Sequence, residues 1–360
     1  MKILLATGGT AGHIEPALNL ADYLVAEDAA TEVVVVGRAE GLEARLVPAR
    51  GYRLRTIPAV PMPRKPSKDL VLVPWRVTDS VRRVGAIIAE EKPDVVVGFG
   101  GYVAMPTYAA ARRAHVPLVI HEANARAGIA NKVGARLTRH SAEAVPESLA
   151  GARLVGMPLR PSIVHLDRAA MRAEARAHFG LDADRPTLLV FGGSLGAQRL
   201  NATMSAAANA VRAAGVQVLH AVGDKRAGLG PIGDGDVPYV TLDYIDRMDL
   251  AYAAADLAVS RAGAMTCAEL AAVGLPAVYV PLPVGNGEQA LNAAPVVSAG
   301  GGLLVDDAAF TPDVITGTVL PLLTDADRLS AMGEAASTYG IRDGSERLAA
   351  LVIEAVEAQR

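Results

Sequence analysis

One cysteine, Cys267, one tryptophan and an aromatic content of 4% are what 360 residues contain of the usual stapling and stacking side chains. A single thiol cannot close a disulfide within the chain and has no cysteine partner for zinc. Disulfide scaffolds and Cys-rich metal folds are therefore excluded, and a reducing compartment is expected. Long apolar runs are lacking too. One of the longest uncharged stretches, residues 95–111, is broken by Gly98, Gly100, Gly101 and Pro106 and suits a buried strand and loop better than a membrane span. Only the apolar residues 3–6 and Thr7 separate Lys2 from the first glycines, too few for a signal-peptide core, so a cytoplasmic site is expected. Net charge of one sign is nearly absent, at −3, which argues against general nucleic-acid binding. The seven histidines show no metal-ligand spacing, and three Asp-x-Asp pairs lie in polar, turn-like segments.

What is present is a 51% apolar chain long enough for about two domains. Its near-neutral total hides an asymmetry. Residues 1–160 carry 21 Lys/Arg against 15 Asp/Glu, or +6, and the remainder 14 against 23, or −9. The basic part is the one suited to an anionic partner.

Short β-branched runs alternate with longer Ala/Leu/Arg stretches at helical spacing, the pattern of parallel βα units. Strands are expected at 3–7, 32–37, 94–98 and 116–121, then again at 187–191, 217–222, 239–244, 257–260 and 276–281. Two strands run into glycine turns of one kind, Gly8-Gly9-Thr10-Ala11-Gly12 and Gly192-Gly193-Ser194-Leu195-Gly196, each followed by an amphipathic helix. The expected fold is α/β, two Rossmann-like doubly wound domains facing a cleft. The division expected is 1–158 for the first, 159–344 for the second, and a last helix at 345–360 that stays with the second or packs back on the first.

A strand, a glycine turn and a helix start gather unpaired N–H groups and the positive end of a helix dipole, a site for phosphate. The alternative is that the glycines only permit close helix–sheet packing. Neither turn is the G-x-G-x-x-G fingerprint, and Arg38 stands where a ribose-binding acid would follow. No G-x-S-x-G elbow occurs. Gly100-Gly101-Tyr102 and His121-Glu122-Ala123-Asn124 follow strands of the same sheet and should line the same edge; His121 is equally well read as a histidine bonded beneath its loop. Glu269, on an apolar face, is costly unless it meets a hydroxyl or a cation; a ribose diol would satisfy it, and the alternative is a helix-capping glutamate. Glu288, Gln289 and Asn292 suit sugar hydroxyls or simple capping.

Together with Gly156-Met157-Pro158-Leu159-Arg160 and the 264–269 segment, these motifs resemble the MurG family of peptidoglycan synthesis over nearly the whole chain. The resemblance implies a metal-independent, inverting GT-B glycosyltransferase that moves N-acetylglucosamine from UDP-GlcNAc to the C4 hydroxyl of undecaprenyl-diphospho-muramoyl-pentapeptide (lipid I), forming lipid II. No cofactor is expected. By the same resemblance the donor falls on Thr10, Ala11, Gly12, Asn124, Arg160, Ser194, Ile245, Ala264, Met265, Thr266, Cys267, Ala268, Glu269 and Gln289. Ser194 and nearby N–H groups would hold the diphosphate, Arg160 would add charge, the Ile245 backbone would meet uracil, Glu269 the ribose and Gln289 the sugar. Gly9, Gly100, Gly101, Tyr102 and His121 are the acceptor candidates.

Inversion needs one base. His13, at a helix start that disfavours its imidazolium, is the candidate, with Glu122 the alternative; such a base contributes about 10²- to 10⁴-fold. A polyprenyl acceptor implies a membrane face. Arg64, Lys65, Lys68, Arg76, Arg82 and Arg83, interleaved with Val71, Leu72, Val73 and Trp75, suit the cytoplasmic face of the membrane, though a basic helix packing its apolar side on the sheet explains the same letters. A cell-wall synthesis complex is a further expected partner. Two other readings remain open: a UDP-GlcNAc 2-epimerase, which turns over without lipid, and a non-catalytic scaffold that binds nucleotide sugar or lipid.

Overall fold

The computed structural model describes residues 1–58, 69–193, 198–223, 225–283 and 287–359, and the side chains of 69–74 lie outside that description. Two compact units divide the chain, Met1–Leu159 with Arg342–Arg360, and Arg160–Ile341.

The first unit is built on seven parallel strands, β1 (Lys2–Ala6), β2 (Glu32–Gly37), β3 (Arg53–Thr56), β4 (Val95–Gly98), β5 (Leu118–Glu122), β6 (His140–Glu143) and β7 (Arg153–Leu154), in the order β3-β2-β1-β4-β5-β6-β7. Both faces of this sheet are dry, which is why its central strands read as unbroken Val/Ile/Leu runs. Ile3, Leu5, Val33, Val35, Val95 and Val97 share one core with Ile14 and Leu18 of the helix Ala11–Glu27. Leu4, Val34, Val36 and Val96 point the other way, onto Val84 and Ile88 of the helix Asp69–Glu91. Each fully buried side chain of this size stabilises the fold by roughly 1.5–3 kcal/mol before chain entropy is counted.

The last helix, Gly344–Glu357, completes the first of these cores with Leu348, Leu351, Val352 and Ala355. Its entry is tight. A methyl on Gly344 would lie 2.4 Å from the Met157 carbonyl oxygen. Farther along, Arg153 grips Glu354 through two hydrogen bonds of 2.6 and 2.8 Å.

The second unit repeats the plan with six parallel strands, β8 (Thr187–Phe191), β9 (Gln217–Ala221), β10 (Tyr239–Leu242), β11 (Leu257–Ser260), β12 (Ala277–Tyr279) and β13 (Gly302–Leu304), in the order β10-β9-β8-β11-β12-β13. Leu188, Val190, Val218, Leu257, Val259 and Val278 form one core with Leu200, Met204 and Phe310.

Several expected strands are shorter or displaced. The one expected at 116–121 begins at Leu118, because His115 sits in the left-handed region (φ 55°) and Pro117 follows. The one at 276–281 is only Ala277–Tyr279, and the one at 239–244 stops at Leu242. Sequence pattern did not show β3, β6, β7 or β13.

Candidate active site

In a doubly wound sheet, loops leaving adjacent strands on either side of the point where strand order reverses form a crevice. In the first unit those strands are β1 and β4. Thr10 caps the helix Ala11–Glu27 in extended geometry, and its hydroxyl bonds not to the helix backbone but to Nδ1 of His13, at 3.0 Å. With no acid in the first turn, the N–H groups there present the positive end of the dipole.

The β4 loop meets this one without side chains between them. Gly100 and Gly101 are both left-handed, at φ 92° and 87°. A methyl on Gly101 would lie 2.1 Å from the Gly8 carbonyl oxygen, and one on Gly100 only 3.2 and 3.3 Å from Cδ2 and Nε2 of His13. The imidazole therefore rests on bare backbone. Tyr102 is 49% exposed with its ring beside Gly9, a position from which an aromatic face can meet a sugar.

His121 and Glu122 sit at the end of β5 but turn inward. His121 is fully buried. Its Nε2 donates to the Gly156 carbonyl (2.9 Å), its ring tilts against Phe99, and burial pulls its pKa down to about 4. Both Glu122 oxygens are occupied: Oε1 accepts from the backbone and side-chain amides of Asn124, Oε2 from the Gly128 N–H and Asn131 Nδ2 at 3.1 and 2.9 Å. Asn131 was missed in the sequence, as was Tyr108, whose buried hydroxyl donates to Asn131 Oδ1 at 2.8 Å. No local pattern marks either residue; their partners lie 9 and 23 positions away.

In the second unit the corresponding loops follow β8 and β11. Gly192 and Gly193 end the first, but Ser194, with the rest of 194–197, lies outside the described residues. The second leads through Arg261, Ala262 and Gly263 into the helix Ala264–Ala272. Ala264, Met265, Thr266 and Ala268 are half-buried, while Cys267 and Glu269 are buried, and burial pushes the Cys267 thiol up. Glu269 Oε2 accepts from the hydroxyl of Tyr252 at 2.8 Å. Tyr252 titrates well above its ordinary value, first through burial and then through Glu269, while the nearby Arg160 guanidinium opposes the rise. Arg160 itself caps the short helix Pro161–Val164.

Arg261, a further residue missed, is 6% exposed. It donates to the Val280 and Pro281 carbonyls and to Asp307 Oδ1 at 2.6 Å, pinning the end of β12. Gln289 Oε1 accepts from the Leu282 N–H at 2.8 Å, and Ile245 is buried. Among the described residues no cluster of three or more His, Cys, Asp or Glu is arranged to hold a metal ion.

Residues 3–142 match the N-terminal domain of glycosyltransferase family 28, and residues 187–348 its C-terminal domain. The chain is 57% identical, over all of its length and 99% of the relative's, to a UDP-N-acetylglucosamine–N-acetylmuramyl-(pentapeptide) pyrophosphoryl-undecaprenol N-acetylglucosamine transferase of Streptomyces avermitilis. Among solved structures it resembles MurG of Acinetobacter baumannii (TM-score 0.78, 26% identity, 98% of this chain and 99% of that one). The UDP-GlcNAc 2-epimerase of Neisseria meningitidis (TM-score 0.70, 14% identity, 98% and 100%) shares the fold alone. Two crevice-bearing parallel sheets, matches to both domains of the family and full-length identity of 57% have one reading: the chain belongs to glycosyltransferase family 28 and, within it, to the MurG family of GT-B glycosyltransferases.

Proposed function

We propose that this chain transfers N-acetylglucosamine, with inversion, from UDP-GlcNAc to the C4 hydroxyl of the muramoyl sugar of lipid I. The full-length identity to transferases of that one name supports the reaction. The seat of His13 supports the chemistry. With Nδ1 engaged by Thr10, the imidazole keeps one orientation, and Nε2 is the nitrogen that takes the acceptor proton as the sugar carbon is attacked. Glu122 is the weaker candidate for the base, because four donors already hold its carboxylate.

The uncharged amides of the helix starts at Ala11 and Gln198, with Arg160, hold the diphosphates and stabilise departing UDP. Ile245 presents backbone to the uracil, Glu269 and the 264–268 segment enclose the ribose, and Gln289, already fixed through Oε1, offers its Nε2 donors to the donor sugar. Gly9, Gly100, Gly101 and Tyr102 receive the acceptor. His121 supports their floor.

Lipid I is membrane-bound, so the first unit docks on the cytoplasmic membrane face through the helix Asp69–Glu91. Trp75 on it is 72% exposed, and Arg82 and Arg83 are exposed too, while Val84 and Ile88 pack on the sheet. Arg64, Lys65 and Lys68 lie outside the described residues, as do the side chains of Val71, Leu72 and Val73. No described helix is long and apolar enough to cross a membrane.

UDP release is the test. Purified protein should release UDP from UDP-GlcNAc only when a lipid-linked muramoyl-pentapeptide is added, giving a β-1,4 linkage. Release without acceptor would sink the proposal. His13→Ala should lower kcat by about 10²- to 10⁴-fold and leave UDP binding unchanged.

A further inference from the structure

Behind the first glycine loop lies a carboxylate that this chemistry does not use. Glu43 opens the helix Glu43–Ala49 and is wholly buried. Three glycines make its slot. A methyl on Gly8 would lie 2.6 Å from Oε1, one on Gly37 2.7 Å from Cγ, and one on Gly41 2.2 Å from Oε2. None of the three has a left-handed backbone, so no dihedral constraint requires glycine at these positions. Glu43 is what bars a side chain at Gly8 and Gly41, and at Gly37 it does so together with Leu54, whose Cδ1 would lie 3.1 Å from the added methyl.

The carboxylate is held in one pose. Oε1 accepts from the Arg38 N–H at 3.0 Å, just past the end of β2, while Oε2 is buried with no donor among the described residues. An apolar side chain would fill the slot at a lower desolvation cost. What the carboxylate adds is that directional bond, which fixes the wedge against Gly8. From there the contacts run on without an intervening Cβ: the Gly8 carbonyl against Gly101, and Gly100 against the His13 ring.

We propose that Glu43 is a positioning residue for His13, setting the height of the first glycine loop and so the place of the imidazole above Gly100. This rests on the reading of His13 as the base. A misplacement of the order of 1 Å at a reacting group costs about a hundredfold in rate.

The test is a double-mutant cycle on the full chain, read by UDP release and by the NMR signals of the His13 ring. Glu43→Ala should lower kcat about ten- to a hundredfold, with KM for UDP-GlcNAc within about twofold, and should shift the His13 signals. Glu43→Gln, which keeps both the bulk and the acceptor for Arg38, should retain most of kcat. Gly8→Ala should be severely impaired alone, yet Gly8→Ala with Glu43→Ala should be no slower than Glu43→Ala, because the added methyl then enters vacant space. A double variant as slow as the product of the two single losses would overturn the proposal. So would a Glu43→Ala protein with unmoved His13 signals. If Glu43→Ala does not fold, Gly41→Ala, which drives one methyl against the same carboxylate, carries the same expectation. Failure of the base reading looks different: His13→Ala would keep its turnover, while Glu43→Ala would still displace the His13 signals.

Discussion

An imidazole kept neutral in a dry interior makes a fold sensitive to acid. His121 donates from Nε2 to a carbonyl, which leaves Nδ1 as a buried lone pair with no partner among the described residues. His220 donates from Nε2 to Asn201 Oδ1 and accepts from the Tyr239 hydroxyl at Nδ1. Burial lowers the pKa of each to about 4. Between that value and the ordinary 6.5 the unfolded chain binds more protons than the native one, so stability rises with pH across this window. The contribution is complete above about pH 6.5, falls as pH drops toward 4, and amounts to about 3 kcal/mol for each ring. Urea unfolding at pH 7.5, 6 and 5 should show this decline; a flat profile across the window would contradict it. A second expectation concerns Tyr252, whose hydroxyl is a donor to the buried Glu269. Tyr252→Phe should cost about 1–3 kcal/mol of stability and weaken UDP binding, measured by calorimetry.

At the scale of elements, the C-terminal helix shows what parallel sheets demand: both faces covered. Leu348 and Val352 are fully buried beside Ile3, Leu5 and Val97, so the helix is part of the first core although about 180 residues of chain intervene. Leu348→Ala should therefore destabilise the first unit by about 2–5 kcal/mol, seen as earlier proteolysis within residues 1–159 on heating. Equal cleavage rates in the variant and the parent chain would argue against that role.

What the sequence disclosed follows the same physics. Central strands such as Val33–Val36 and Leu188–Val190 are buried on both faces and announce themselves as apolar runs. β6 reads His-Ser-Ala-Glu and does not: it is buried because Glu143 accepts from the Glu147 and Leu149 N–H groups and the Ser148 hydroxyl, bonds that pattern alone cannot show. The site divides likewise. Glycine turns were legible because close backbone approach restricts residue type, and His13 was singled out as the histidine at the helix start that follows one of them. Tyr108, Asn131, Arg261 and Glu43 were not, since each is explained only by partners brought together in three dimensions. His121 had two sequence readings, and its full burial favours the one that places it beneath the loop.

For the molecule as a whole, the distribution of charge matters more than its sum. The basic 1–160 stretch contains the helix proposed to meet the membrane, and the chain's single tryptophan lies on that helix, largely exposed. Trp75 is thus a built-in reporter. On vesicles of anionic phospholipid its emission should shift to the blue and become shielded from aqueous quenchers, whereas neutral vesicles should have little effect. Arg82 and Arg83 should each add about 1 kcal/mol to such binding near a charged surface, Arg83 less because Asp79 already pairs with it at 2.8 Å. Arg82→Glu should accordingly weaken vesicle binding more than Arg83→Glu, and raising the salt should abolish the difference, since the Debye length falls to about 3 Å at 1 M. The same variants should keep their turnover on a detergent-solubilised acceptor, because none of these residues belongs to the glycine loops. Trp75 emission unchanged by anionic vesicles at low salt would place the docking face elsewhere on the first unit.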